Sequence, residues 1–297
     1  MLHRRVLVCL LGLAIFSSAG FGAEIFPIGG PSSTEIGGNL PGYECSGTVW
    51  HTGLEKLFVV DDDGNVASMD ADGTNVNSAS LAGDLEGICV ADPSSDFVYI
   101  GLENPDSILE YNIVTEAVTR TFDLTTWMTG PNNEGLEALT FVPDTGDSEG
   151  GLFYAGLQED GKIYRFRLSI ETSASLETVT HISTITPVAG RDDISGLHYD
   201  SDNEVLYAIF DSAGKLTAME ADGTVLDEWD LPDQEVGGIG HDQEGITMMG
   251  NHLYIAQDSG EFIDYTPFTP LPEPATIILA AAALPALLKR KCRRRRQ

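Results

Sequence analysis

Short apolar runs broken by Gly, Asp, Asn and Pro fill residues 43–265, the pattern of strands joined by tight turns. Their order repeats. One run reads Ser46-Gly-Thr-Val-Trp50, Glu86-Gly-Ile-Cys-Val90, Glu137-Ala-Leu-Thr-Phe141, Ser195-Gly-Leu-His-Tyr199 and Glu244-Gly-Ile-Thr-Met248, with starts 40, 51, 58 and 49 residues apart. A second follows as Leu57 to Asp62, Val98 to Glu103, Phe153 to Gln158, Leu206 to Asp211 and Leu253 to Asp258, each ending in an acid or its amide. Gly64, Gly161, Gly214 and Gly260 then mark hairpin turns into third strands, and Pro105-Asp-Ser107 serves the remaining unit. Fourth strands are expected near 77–81, 120–124, 181–185 and 225–231.

A unit of this length, repeated, cannot bury its apolar faces alone. Five four-stranded units arranged as a ring remove the exposed ends, so an all-β, five-bladed β-propeller is predicted over 24–265. Its blades fall near 43–83, 84–132, 133–190, 191–240 and 241–265. The fifth unit lacks a fourth strand, and a strand-like segment at 24–28 or 34–40 is available to close the ring. Six blades is the alternative, because the interval from 137 to 195 has room for another hairpin.

Both ends of the chain read differently. His3-Arg4-Arg5, an apolar run from Val6 to Phe16 and small residues to Ala23 have the order of a secretory signal over 1–23, too short for a membrane span. After a Pro-rich linker at 266–271, residues 272–297 carry Pro272-Glu273-Pro274, an apolar stretch at 275–288 and a cluster of Lys and Arg that would stay cytoplasmic. A simple tail anchor would have the last two parts. Between the ends only seven cations face 45 acids, a net charge near −38. Such a surface disfavours nucleic acid and attracts cations, although a saline habitat selects the same balance. Cys45 and Cys89 lie out of register on neighbouring strands, and two buried thiols are expected rather than a disulfide.

In a propeller the first strand of each blade lines the central channel, so equivalent residues form rings. One ring is Ser46, Glu86, Glu137, Ser195 and Glu244. Three carboxylates in a narrow channel raise one another's pKa unless a cation joins them, and Ca²⁺, a hard ion that takes six to eight oxygens, is the expected partner outside a cell. Asp62, Glu103, Gln158, Asp211 and Asp258 offer a second layer, although acids at strand ends also cap turns. The Asp-x-Asp-Gly turns at 70–73 and 220–223 lack the later ligands of a calcium loop and read as hairpin turns.

The tail closely resembles the PEP-CTERM sorting signal of Gram-negative bacteria. That likeness implies handling by an exosortase-type protease, transient contact with the inner membrane and delivery to the cell surface or extracellular matrix, where polysaccharide is a possible partner. Residues 43–262 resemble the SdiA-regulated family and the related esterase-like phytase domains through their Glu-Gly-Ile strands, Asp193-Ile-Ser-Gly-Leu197 and Gln243-Glu-Gly-Ile246. This implies a channel-centred calcium site at Glu86, Glu137, Asp193 and Glu244. Ala138 and Gln158 depart from the family pattern, which has Gly and a carboxylate there.

Two functions follow: a calcium-binding propeller with a structural or ligand-binding role, or a calcium-dependent phosphoesterase or esterase. For the second, His198 and His241 are the candidate bases and Arg191, with Lys215, the candidate phosphate anchor. No Gly-x-Ser-x-Gly or His-Glu-x-x-His motif is present. The balance of residues favours binding.

Overall fold

The computed structural model describes residues 24–25, 32–131, 133–232 and 242–269. Two short strands, β1 (Glu24–Ile25) and β2 (Ser32–Glu35), precede the blades. The first blade is β3 (Cys45–His51), β4 (Lys56–Asp61), β5 (Asn65–Met69) and β6 (Asn77–Ser80). The second is β7 (Asp84–Cys89), β8 (Phe97–Glu103), β9 (Ser107–Asn112) and β10 (Ala117–Asp123). The third is β11 (Leu136–Pro143), β12 (Gly151–Leu157), β13 (Lys162–Leu168) and β14 (Val179–Ile185). The fourth is β15 (Ile194–Asp200), β16 (Val205–Phe210), β17 (Lys215–Met219) and β18 (Val225–Asp230). The fifth begins with β19 (Gln243–Met249), β20 (His252–Gln257) and β21 (Phe262–Thr266).

The fifth sheet is completed by β2, which pairs antiparallel with β21 from Ser32 opposite Thr266 to Glu35 opposite Ile263. The predicted closure by an N-terminal strand is therefore present. The closing strand overlaps the 34–40 segment only at Thr34 and Glu35, with Gly37–Asn39 forming a 3-10 turn, and from the 24–28 segment β1 adds in parallel to the outer edge of the fourth blade, Glu24 beside Trp229. There are five blades rather than six. The long third unit spends its extra residues on a loop over 144–150, between β11 and β12, and another over 169–178, between β13 and β14.

The hairpin turns explain the glycine spacing. Gly64, Gly161, Gly214 and Gly260 all have positive φ, where a Cβ is strained, and their N–H groups close turns onto Asp61, Leu157, Asp211 and Gln257 carbonyls at 2.7–3.0 Å. In the second blade Asn104 takes the left-handed conformation instead, with φ 52°.

Apolar side chains meet between blades, giving five cores in a cycle. Tyr207, Trp229, Ile246 and Ile255 join blades four and five, and Leu57, Met69, Tyr254 and Phe262 join five to one. Phe58, Val98 and Ile100 join one to two, Phe122, Phe153 and Phe166 two to three, and Tyr154, Leu206 and Phe210 three to four. Because every blade packs against two others, none has a bare apolar face. Cys45 and Cys89 are free, buried thiols, as their register implied.

A second ring of small residues sets the width of the channel. A Cβ on Gly87 would lie 2.2 Å from the Leu139 amide nitrogen, and one on Gly196 would lie 2.2 Å from the Glu244 carbonyl oxygen. Gly47 and Gly245 are equally confined, by Glu86 O and Thr48 N. Inner strands of neighbouring blades thus touch backbone to backbone. Ala138 takes this position in the third blade and is fully buried opposite Gly156, so the extra methyl is balanced by a missing one. The cavity left at this waist is about 10 Å³, room for at most one water, and it separates the two mouths of the channel.

Candidate functional site

All five inner strands break register at the same place. Cys45 faces Asp61 but Gly47 faces Val60, so Ser46 is an extra residue in its strand. The same offset falls at Glu86-Gly87, Glu137, Ser195 and Glu244-Gly245. A β-bulge releases its residue from the ladder and re-aims the side chain. Each ring residue of the repeat therefore sits on a bulge at one mouth of the channel, just outside the waist.

These carboxyls crowd together. Glu86 and Glu137 are buried, at 6% and 8% exposure, and their carboxyl groups hydrogen-bond each other. Burial, then the neighbouring Glu137 and Asp62, pushes Glu86 well above the usual carboxylate range. Burial with Glu103, Asp62 and Asp84 nearby pushes Glu137 up to about 8. Glu244, open to the channel but surrounded by protein, is raised well above its ordinary value by burial and by Glu137, Asp211, Asp258 and Asp193. Carboxylate oxygens of Asp62, Asp84 and Glu86 lie within 4.8 Å of one another, as do those of Glu44, Asp62 and Asp258. Burial with Asp258 and Asp84 close by raises Asp62 to about 6, against the hydrogen bond it accepts from the Ser46 hydroxyl.

The acids and amides at the ends of the second strands do different things. Glu103 Oε1 accepts the Gly135 amide at 2.6 Å, and Asp211 Oδ1 accepts the Gln243 amide at 2.9 Å. Each thereby pins the first strand of the following blade. Gln158 donates its side-chain amide to Asp193 Oδ1 at 3.1 Å, while Asp193 Oδ2 accepts the Ser212 amide at 2.8 Å. Gln158 Oε1 is buried without a protein partner. Only Asp62 and Asp258 stand exposed at the mouth with their oxygens grouped beside Glu44.

Among the described residues no Lys or Arg answers this charge. All seven Lys and Arg of the propeller lie elsewhere, and each is engaged. Lys56 pairs with Asp70, Arg120 with Glu110, Lys162 with Asp160, Arg167 with Asp147, Arg191 with Glu228 and Lys215 with Asp230. Arg165 donates to the Ser183 hydroxyl at 2.6 Å and lies over the Tyr154 ring.

The candidate catalytic residues do not converge. Arg191 is held by Glu228, donates to the Thr217 hydroxyl and stacks over Phe210, so it is part of the fourth blade rather than a free anion anchor. Lys215 is likewise tied, to Asp230 on the neighbouring strand. His198 lies three residues beyond the bulge, past the waist, at the opposite mouth from the carboxylates. His241, the sorting motif Pro272-Glu273-Pro274, the apolar stretch at 275–288 and the leader at 1–23 fall outside the described residues. Among the described residues no helix is long and apolar enough to cross a membrane.

Fold and site together define a five-bladed β-propeller with an acidic, bulge-lined mouth. Residues 170–261, from the loop before β14 into the fifth blade, match the family described as SdiA-regulated. No curated protein is similar in sequence. Among solved structures, glutaminyl cyclase from Myxococcus xanthus superposes with a TM-score of 0.54 at 12% identity, covering 75% of this chain and 90% of that one. Virginiamycin B lyase from Staphylococcus aureus gives 0.43 at 14% identity, over 76% and 67% of the two chains. A protein of unknown function from Bacteroides caccae gives 0.46 at 12%, over 73% and 72%. At these identities the likeness to the cyclase is one of fold alone.

Proposed function

We propose that this protein is an exported propeller that binds Ca²⁺ at the acidic mouth of its channel and serves as a binding or structural module at the cell surface. One observation carries the metal reading: Glu86, Glu137 and Glu244 are pressed together on bulges, with pKa values pushed up, and no Lys or Arg of the described residues reaches them. The donor set suits a hard cation. It is all oxygen, and Asp62, Asp84 and Glu86 bring carboxylate oxygens within 4.8 Å of one another, as Glu44, Asp62 and Asp258 do. Glu86, Glu137 and Glu244 would hold the ion with Asp62 and Asp84, and Asp193 would support it from its bond to Gln158. Bound there, Ca²⁺ supplies the positive charge that lets these groups ionise together.

Export rests on the leader at 1–23, and surface sorting on the tail at 272–297 with its exosortase-type partner. The phosphoesterase reading is weaker, because Arg191 and Lys215 are consumed by ion pairs and His198 is on the other side of the waist. Titration calorimetry of the purified protein with CaCl₂ tests the site. Saturable binding that is lost in Glu86→Gln and in Glu244→Gln supports it, and identical melting with and without chelator sinks it.

A further inference from the structure

The register that places carboxylates at one mouth places a different ring at the other. Three residues beyond each bulge stand Val49, Cys89, Thr140, His198 and Thr247, followed by Trp50, Val90, Phe141, Tyr199 and Met248. All of these except the buried Thr247 line a pocket of about 380 Å³, the size that holds a small organic molecule. Its walls are mixed: apolar and aromatic side chains such as Trp50, Phe141 and Met248 face the polar groups of Thr52, Thr140, His198 and the segment Asp200-Ser201-Asp202-Asn203.

Three features fix the chemistry of an occupant. The lining holds two carboxylates, Asp200 and Asp202, and no Lys or Arg. The Thr140 hydroxyl accepts the Tyr199 amide at 3.1 Å, and Thr247, behind the lining, accepts the Trp50 amide at 2.9 Å. The His198 imidazole has no protein hydrogen bond, and burial lowers its pKa to about 4 against the pull of Asp200. It is therefore neutral and presents one unused donor and one unused acceptor nitrogen. An anion would meet like charge, and a purely apolar guest would leave that imidazole unsatisfied. An ammonium group could donate to it, interact with the Asp200 charge and lie near aromatic faces.

We propose that this second mouth is a binding site for a small organic amine with an apolar body, separate from the calcium site because the waist closes between them. The test uses three probes of one shape and different charge: phenethylamine, 2-phenylethanol and phenylacetate, each titrated into the full-length protein by calorimetry. Phenethylamine should bind saturably and roughly tenfold or more tighter than either of the others. His198→Gln and Trp50→Ala should weaken it by a similar factor. Saturation-transfer NMR on the unmodified protein should show contact between the phenethylamine ring and the Trp50 indole, a readout that needs no variant. No saturable binding of phenethylamine, equal binding of the three probes, or preference for phenylacetate or 2-phenylethanol overturns the proposal. So does phenethylamine binding without contact to Trp50.

Discussion

Replacing Glu137 by Gln should stabilise the calcium-free protein at alkaline pH and destabilise the calcium-loaded one. Glu137 is 8% exposed and its pKa is displaced from 4.5 to about 8 in the fold. A group whose folded pKa is raised binds more protons folded than unfolded, so stability falls as pH rises. The loss begins near pH 4.5 and is complete above pH 8. The full displacement corresponds to about 5 kcal/mol. Glu86 shares the same proton and the channel admits water, so about 2–4 kcal/mol is the expected gain on removing the charge at pH 8.5. Gln keeps the volume and can donate to Glu86. For a domain of this size that gain is a rise in Tm of about 5–12 °C. At pH 4 the two proteins should melt within about 2 °C of each other. With saturating CaCl₂ the order reverses, because only the wild type gains the full binding energy. Scanning calorimetry at several pH values, with chelator and with CaCl₂, measures all of this. A variant less stable at every pH in chelator, or a difference that does not change with pH, would refute the reasoning.

Two further outcomes concern the scaffold. Arg120 is 5% exposed, pairs with Glu110 and donates to the Ser169, Ser173 and Leu176 carbonyls, so it holds the 169–178 loop of the neighbouring blade. Arg120→Ala should cost about 3–5 kcal/mol in urea unfolding by leaving Glu110 buried and unpaired, and Arg120→Met with Glu110→Leu should recover much of it. Because the Arg120 and Thr119 bonds hold Glu110 below its ordinary value against burial, the pair's contribution should be present near neutral pH and fade as the solution is acidified. At the waist, Gly87→Ala puts a methyl on the Leu139 backbone and should abolish cooperative folding by circular dichroism, whereas Ala138→Gly, which relaxes the same ring, should cost only about 1 kcal/mol.

The blades were legible because each strand repeats its alternation and each turn needs a residue tolerant of positive φ, as at Gly64 and Gly214. Glu86, Glu137 and Glu244 stood out because a carboxylate inside an apolar run is costly wherever it points. The bulges that aim them were not legible: Glu-Gly in a strand looks the same in register or out of it, and the offset appears only against the partner strand. Arg191 looked free because its ion-pair partner Glu228 is on β18, several strands away in sequence. The split among Asp62, Glu103 and Asp211 escaped for a related reason. All end the same strand, but Glu103 and Asp211 meet an amide of the next blade, Gly135 or Gln243, whereas Asp62 meets the Ser46 hydroxyl and the open mouth.

The pairing of β2 with β21 also governs how the ring can form. Ser32 must find Thr266, contacts about as distant in sequence as this fold allows, and closing so long a loop is slow. Four blades can pack as soon as they are made, but the fifth stays an open-edged, three-stranded sheet until β2 is brought back to it. Folding therefore finishes with a latch whose two halves come from near the start and from the end of the propeller's synthesis. A chain cut between β2 and β3 would leave that latch bimolecular, and a separate peptide spanning 32–40 would become a ligand that the rest of the ring could recapture.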